Sequence, residues 1–148
     1  INKPCSLDFR FAVAMQGSLG IGGDLTKYSD ENLEICRKNI AFYKTFRDIV
    51  QFGDLYRILD IEKDEVLLNQ YVTADKSKSV AFLLANGTRF YKKRMPVCFD
   101  GLDSGRNYRL TIDGKTYEKS GAYLMNCGMI LQIRGVDYNR VIIIEEIK

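Results

Sequence analysis

The sequence contains no histidine and no tryptophan, and both absences narrow the chemistry that it supports. Without histidine there is no Ser-His-Asp triad, no histidine-ligated zinc and no histidine pH switch in these 148 residues. Without tryptophan the usual platform for stacking on sugars or bases is missing. No apolar run approaches the ~20 residues that span a bilayer, so we predict no membrane association.

The overall composition is that of an ordinary globular chain. Hydrophobic residues make up 46% and charged residues 28%, and the net charge is +3. Such a small positive charge is far from the dense field that non-specific nucleic-acid binding requires, so we predict no nucleic-acid partner. Composition alone names no function.

The cysteines and the first residue bear on cellular context. Cys5, Cys36, Cys98 and Cys127 form no C-x-x-C pair, so we expect neither a metal site nor a cofactor. Four free thiols in a reducing cytoplasm are favoured, and two disulfides are the alternative. Because the chain begins at Ile1 rather than Met, we expect a piece of a longer protein, and a signal peptide upstream is not excluded.

The first part of the chain reads as a strand, a loop and a helix. The nearly continuous apolar run at residues 10–15 predicts a strand covered on both faces. A glycine-dense loop follows at 17–23. Ser29 is a good N-cap, and apolar residues spaced three and four apart predict a helix over 30–50 that Gly53 ends.

After Gly53 the hydrophobic pattern shortens to that of strands. Turn residues separate the runs, and Asn86-Gly87 and Asp113-Gly114 are two-residue hairpin signals. The fold class we predict is mainly β, an antiparallel β-sandwich over residues 54–148 with one long N-terminal α-helix. The expected strands are 55–59, 66–73, 79–85, 97–100, 108–112 and 140–147, with 115–117 pairing back on 108–112.

The first part is incomplete as a fold by itself. A single buried-type strand lacks parallel partners, and its helix lacks a sheet to cover. We therefore expect the apolar face of the helix to fold back on the β domain or to pair with a second copy, which favours a homo-oligomer.

Three segments carry a resemblance to a known family. Residues 10–25 (RFAVAMQGSLGIGGDL) resemble the last barrel strand and following loop of the family-36 α-galactosidases. Residues 40–58 (IAFYKTFRDIVQFGDLYRI) look like the final barrel helix of that family and its exit, and residues 124–128 (LMNCG) are similar to a motif in its C-terminal β domain. The resemblance runs in register from about residue 9 to 130 and is most specific between 10 and 58.

The resemblance implies a fold and an activity for the parent protein. The family is known as (β/α)₈-barrel glycoside hydrolases with a C-terminal antiparallel β-sandwich, and its members release terminal α-linked galactose with retention. Residues 1–53 would then be the last strand, loop and helix of the catalytic barrel, a remnant βα unit. The partners implied are the rest of that barrel and, through it, an α-galactoside; several members of the family are tetramers.

The family's catalytic residues have no match here. Its nucleophile lies in a Lys-x-Asp motif, which does not occur in this sequence, and its acid/base aspartate lies in a motif that begins Ser-Asp. Ser29-Asp30 is the only Ser-Asp pair, and we interpret it as a helix cap. Retaining chemistry needs two carboxyl groups about 5–5.5 Å apart, so we expect no catalytic residue in this chain and no activity from the chain alone.

The candidate site residues lie in the glycine loop. Loops after barrel strands form the active-site rim, so Gln16, Gly17 and Ser18 are the candidates to face a sugar; the plainer interpretation, which is favoured, is that they only bond neighbouring loops. The glycine order GxxGxGG does not match a nucleotide-binding loop. Asp8 and Asp24, which flank the region, are expected to set turns rather than to perform acid–base chemistry.

Two other functions are alternatives to a role as part of an α-galactosidase. The basic and aromatic cluster at 89–94 is of the kind that binds single-stranded nucleic acid, but a charged strand edge explains it better. The main alternative is a free-standing carbohydrate-binding β module without catalysis. The nine tyrosines fit core packing better than a sugar platform.

Overall fold

The computed structural model describes residues 5–85 and 88–148, with the backbone alone for 88–93. The Asn86-Gly87 turn signal and the side chains at 89–93 lie outside the described residues. Helices are α1 (Leu7–Ala14), α2 (Asp30–Phe52), α3 (Ile61–Asp64) and α4 (Gly121–Asn126), with a 3₁₀ turn at Leu25–Lys27. Strands are β1 (Asp54–Leu59), β2 (Leu67–Val72), β3 (Lys78–Ala85), β4 (Thr88–Val97), β5 (Asn107–Ile112), β6 (Lys115–Ser120), β7 (Met129–Gly135) and β8 (Tyr138–Glu146).

The strands form two antiparallel sheets. Six of them lie in the order β1-β2-β3-β8-β5-β6, and β4 pairs with β7 in a second sheet. The larger sheet buries one face against β4, β7 and the loops around α4, and the other face against α1 and α2. The antiparallel sandwich is therefore confirmed, and a layer of helices covers the outer face of its large sheet.

The central strand β3 is buried on both faces. Ala81 and Leu83 belong to the core shared with the small sheet, whereas Val80 and Phe82 pack against the helices. The four side chains alternate because successive residues of a strand point to opposite faces. This explains why the sequence of β3 is continuously apolar rather than alternating.

Helix α2 begins and packs as its sequence predicts. The Ser29 hydroxyl oxygen accepts the backbone N–H of Asn32 at 3.2 Å, so Ser29-Asp30 is a cap, as expected. One face of the helix is buried against β2 and β3, and its Phe46 ring lies 6.0 Å from that of Phe82. The expectation that the helix folds back on the β domain is confirmed. The buried residues of that face are Cys36, Tyr43, Phe46, Ile49 and Val50.

The predicted strand at residues 10–15 is wrong, because this segment lies in and just after helix α1. The Ser6 side chain accepts the N–H of Phe9 and caps the helix, and Asp8 stands in its first turn. Phe11 and Met15, four residues apart, are buried on one helix face against α2 and the large sheet. A short continuous apolar run fits a buried strand and a buried helix equally well. Residues 1–53 thus contain no βα unit in their described part; α1, a loop and α2 form the layer on the sheet.

Gly53 ends α2, as predicted, without the left-handed conformation that is common after helices. Its φ is −80° and its ψ 163°, which is extended backbone. A Cβ at this position would lie 2.4 Å from the Ile49 carbonyl oxygen and 2.8 Å from that of Val72. Glycine is required because the end of α2 and the end of β2 approach each other closely.

The smaller strand predictions have mixed outcomes. Asp113 and Gly114 have φ values of 51° and 74°, which is the type I′ hairpin turn that joins β5 to β6. The expected strand at 97–100 is the end of β4, which stops at Val97. Strand β7 and helices α3 and α4 were not predicted.

All four cysteines are free thiols, as favoured from their spacing. Within residues 5–85 and 88–148, no helix combines the length and the apolarity that crossing a bilayer requires.

Candidate active-site rim

The two consecutive peptide units that flank Gly17 are each held by one tyrosine hydroxyl. Tyr71, on β2, donates to the Gln16 carbonyl oxygen at 2.6 Å, and Tyr43, on α2, donates to the Gly17 carbonyl oxygen at 2.6 Å. The chain has just left α1 through a tight turn, in which the Gly17 N–H donates to the Ala14 carbonyl. Consecutive carbonyls are thus tied to two different elements.

The Gln16 side chain is held as well. Its Oε1 accepts a hydrogen bond from Asn69 Nδ2 at 2.8 Å. Asn69 and Tyr71 are two residues apart on β2 and therefore share a face of the sheet. Asn69 Oδ1 is buried and accepts no hydrogen bond from any described residue.

The outer side of the loop is open. Ser18 is exposed, and in the described part of the chain no atom lies within 4 Å of a Cβ built on Gly17, Gly20 or Gly22. Leu19 and Ile21 are half-buried and pack against the aromatic cluster under the loop. Within the described part of this chain, the loop is therefore anchored on one side and open on the other.

Of the three predicted rim residues, two are anchored to the body of the protein and one is not. Gln16 and Gly17 carry the contacts to Asn69, Tyr71 and Tyr43, while Ser18 lies on the open side. These contacts are of the kind that the plainer interpretation expects, but they leave the outward face of the loop uncovered. That the segment faces a sugar stays a prediction.

The carboxyl groups near the loop set local structure. Asp24 accepts hydrogen bonds from the Thr26 hydroxyl and N–H, which hold the pKa of its carboxyl below the usual value. Asp8 accepts from the Asn39 side-chain amide at 2.9 Å. A general acid needs a raised pKa, so the shift at Asp24 is in the wrong direction for that role. Among the described residues, no group of His, Cys, Asp or Glu is arranged to hold a metal ion.

Burial keeps the Tyr71 hydroxyl protonated. Desolvation raises the pKa of this phenol above its ordinary value, and the positive charge of Arg57 opposes the shift only in part. Tyr71 therefore remains a hydrogen-bond donor to Gln16 at any physiological pH.

Sequence reasoning missed Tyr43, Tyr71 and Asn69. The two tyrosines were assigned to core packing, which is correct for their rings and incomplete for their hydroxyls. One general rule could have indicated these contacts, because a buried tyrosine hydroxyl needs a hydrogen-bond partner. Nothing local in the sequence says that this partner is a loop 26 or 55 residues away.

Two family models match consecutive parts of the chain. The model for the "Glycosyl hydrolase family 36 C-terminal domain" matches residues 68–144, and the melibiase model matches residues 1–53. The chain belongs to glycosyl hydrolase family 36.

Curated members of family 36 resemble the chain over most of its length. It is 30% identical over 145 residues to α-galactosidase AgaA of Geobacillus stearothermophilus, which covers 93% of this chain and 18% of that protein. It is 30% identical over 133 residues to α-galactosidase Mel36A of Lactobacillus acidophilus, with 87% of this chain and 17% of that protein covered. The chain spans about a fifth of the length of these relatives.

Solved family-36 structures share the fold. The crystal structure of the Geobacillus enzyme AgaA superposes with a TM-score of 0.89 at 28% identity, covering 98% of this chain and 20% of that chain. The α-galactosidase from Lactobacillus brevis gives 0.87 at 30% identity, covering 99% and 21%. The resemblance and the β-sandwich predicted from the sequence are confirmed, whereas the domain boundary at 53/54 stays a prediction.

Proposed function

We propose that this chain is the C-terminal part of a retaining α-galactosidase that removes terminal α-linked galactose. The observation that carries the proposal is the colinear match, because the melibiase and C-terminal models follow each other along one chain whose relatives are named α-galactosidases. Crystal structures of AgaA variants hold raffinose or stachyose. Raffinose-type oligosaccharides are the substrate class we propose here.

The chemistry belongs to residues outside this chain. The mechanism needs a nucleophilic carboxylate and a carboxylic acid on either side of the glycosidic bond. The sequence has no Lys-x-Asp motif, and Ser29 of the single Ser-Asp pair caps α2. The carboxyl groups with shifted pKa values, Asp24 and Asp75, are shifted downward and remain ionised.

The role proposed for this piece is structural. The large sheet carries α1, the glycine loop and α2 on its outer face, and the aromatic contact of Phe82 on β3 with Phe46 on α2 joins the two layers. A sheet that is packed on both faces is rigid, and a rigid sheet is a suitable support for the last elements of a catalytic barrel. The free-standing carbohydrate-binding module is not favoured, because the melibiase match covers the helical layer itself.

Homo-oligomer formation is part of the proposal. The two edge strands of the large sheet differ: β6 exposes Lys115, Glu118 and Lys119, which guard it against pairing. Near β1, Phe52 is 82% exposed and Leu55 40%. We place the contact with the rest of the protein or with a second copy at this end.

The experiment compares the complete reading frame with the 148-residue chain on a chromogenic α-galactoside. We expect the complete protein to release the chromophore and the chain alone to be inactive at equal molar concentration. Activity in the chain alone contradicts the assignment of catalysis elsewhere. Inactivity of the folded complete protein on every α-galactoside contradicts the proposed function.

A further inference from the structure

We propose that Tyr43, Tyr71 and Asn69 are positioning residues that fix the backbone at Gln16 and Gly17, and the Gln16 side chain, for substrate binding. The inference rests on the proposed function, since it takes the loop to be part of the sugar-binding rim. It assigns to the β domain a part in the reaction beyond support, because two of the three residues lie on β2.

The two hydroxyls are held rigidly relative to each other. Tyr43 is 7% exposed and Tyr71 8%. Edge-to-face contacts form a continuous aromatic chain between them: the ring centroids of Tyr43 and Phe46 are 5.8 Å apart, those of Phe46 and Phe82 6.0 Å, and those of Phe82 and Tyr71 6.0 Å. The donors on α2 and β2 therefore cannot move independently.

This geometry sets the orientation of the two peptide units on either side of the Gly17 Cα. The Gln16 and Gly17 carbonyls lie on either side of residue 17, whose glycine backbone otherwise rotates freely. With both carbonyl oxygens bonded at 2.6 Å, that rotation is stopped. The first residues of the loop thus start from one fixed direction, which is the pre-organisation that a binding rim needs.

Asn69 orients the Gln16 side chain from the same strand. Because Asn69 Nδ2 donates to Oε1, the amide oxygen of Gln16 is occupied and its Nε2 hydrogens are left as the donors for a substrate hydroxyl. The sheet therefore controls both the main chain and the side chain of Gln16.

The test replaces single hydroxyls in the complete enzyme. Tyr71→Phe and Tyr43→Phe remove one oxygen each and keep the rings packed. Each leaves a carbonyl without its donor, and we expect kcat/KM for an α-galactoside to fall about five- to tenfold, mainly through KM, as loss of one hydrogen bond predicts. Asn69→Leu is expected to act in the same direction by releasing the Gln16 amide.

Tyr108→Phe is the matched control. Tyr108 is fully buried on the other face of the sheet, and its hydroxyl donates to the Lys76 carbonyl at 2.9 Å and accepts the Asp103 N–H at 3.0 Å. It makes the same kind of hydrogen bond away from the loop. We expect it to lower thermal stability as much as the other two variants and to leave kcat and KM unchanged.

Amide hydrogen exchange supplies a readout that is independent of activity. We expect the Gly17 amide, whose N–H donates to the Ala14 carbonyl, to exchange about five- to tenfold faster in Tyr71→Phe and Tyr43→Phe than in wild type or Tyr108→Phe, because the turn opens more often. Unchanged exchange of this amide overturns the inference whether or not the enzyme is active. If the wild type is active and Tyr43→Phe and Tyr71→Phe both keep its KM, or if Tyr108→Phe raises KM as much as they do, the inference is overturned; an inactive wild type counts against the proposed function.

Discussion

Replacement of Gly53 by alanine tests the joint between the helical layer and the large sheet. The new Cβ would stand 2.4 Å from the Ile49 carbonyl oxygen and 2.8 Å from the Val72 carbonyl oxygen, and both are backbone atoms. The Ile49 oxygen also accepts the Gly53 N–H at 2.9 Å, so relief of the clash weakens the bond that closes α2. Neither atom can swing away as the end of a side chain would.

Two effects of opposite sign determine how much Gly53→Ala changes the free energy of unfolding. Forcing a methyl group into packed backbone costs about 1–3 kcal/mol. Alanine also has fewer unfolded conformations than glycine, which stabilises by about 0.4–1 kcal/mol where the backbone is not left-handed. The cost of the clash is the larger of the two, so we expect the free energy of unfolding to fall by about 1–2 kcal/mol, which corresponds to about 2–8 °C in Tm for a chain of this size.

Thermal unfolding of the 148-residue chain, followed by far-UV circular dichroism, measures this loss. Gly105→Ala is the control, because a Cβ there meets only the Asp103 carboxylate oxygen at 3.5 Å, which is ordinary contact. We expect the control to keep or slightly raise Tm. An unchanged Tm in Gly53→Ala would refute the close approach of α2 and β2.

Two further predictions concern the core and acid stability. Phe82→Ala removes a fully buried ring that touches Phe46 and Tyr71, so we expect the free energy of unfolding in urea to fall by about 3–5 kcal/mol. Phe42→Ala is the control, because its ring is 38% exposed, and we expect a clearly smaller loss. Equal losses would contradict the two-layer core. Hydrogen bonds from the Thr73 hydroxyl and from the Ser77 N–H and hydroxyl lower the pKa of Asp75 to about 2, below the unfolded value of about 3.9. The charged form of Asp75 therefore stabilises the folded protein fully above about pH 5, and this stabilisation is lost as the pH falls toward about 2. We expect the Tm of Asp75→Asn to depend less on pH in that range than the Tm of the wild type. Parallel pH profiles of the two proteins would contradict this.

Helix caps, apolar periodicity and turn residues predicted the elements whose position depends on residues close together in the sequence. The Ser29 cap and the apolar stripe of α2 place the helix within two residues of its observed end. Asp113-Gly114 fixes a hairpin because both residues adopt positive φ. The Leu55–Leu59 and Arg140–Ile147 runs likewise fall on β1 and β8.

The errors arise where tertiary contacts decide. The apolar run at 10–15 is helical because Ser6 caps it and because Phe11 and Met15 find a helix and a sheet to pack against. Strand β7 was missed because Ile130 is apolar on the exposed face, at 61% exposure, so the sequence does not show the alternation that the burial of the strand follows. The tyrosine contacts to Gln16 and Gly17 join residues far apart in sequence, so no local pattern predicts them.

We propose that this chain completes an enzyme that cleaves α-galactosides with retention. Proton NMR of the first galactose released by the complete protein tests this proposal, because mutarotation is slow enough for the initial anomer to be read. We predict that α-galactose appears first and β-galactose only later. Initial release of β-galactose, or of no galactose at all, would contradict the claim.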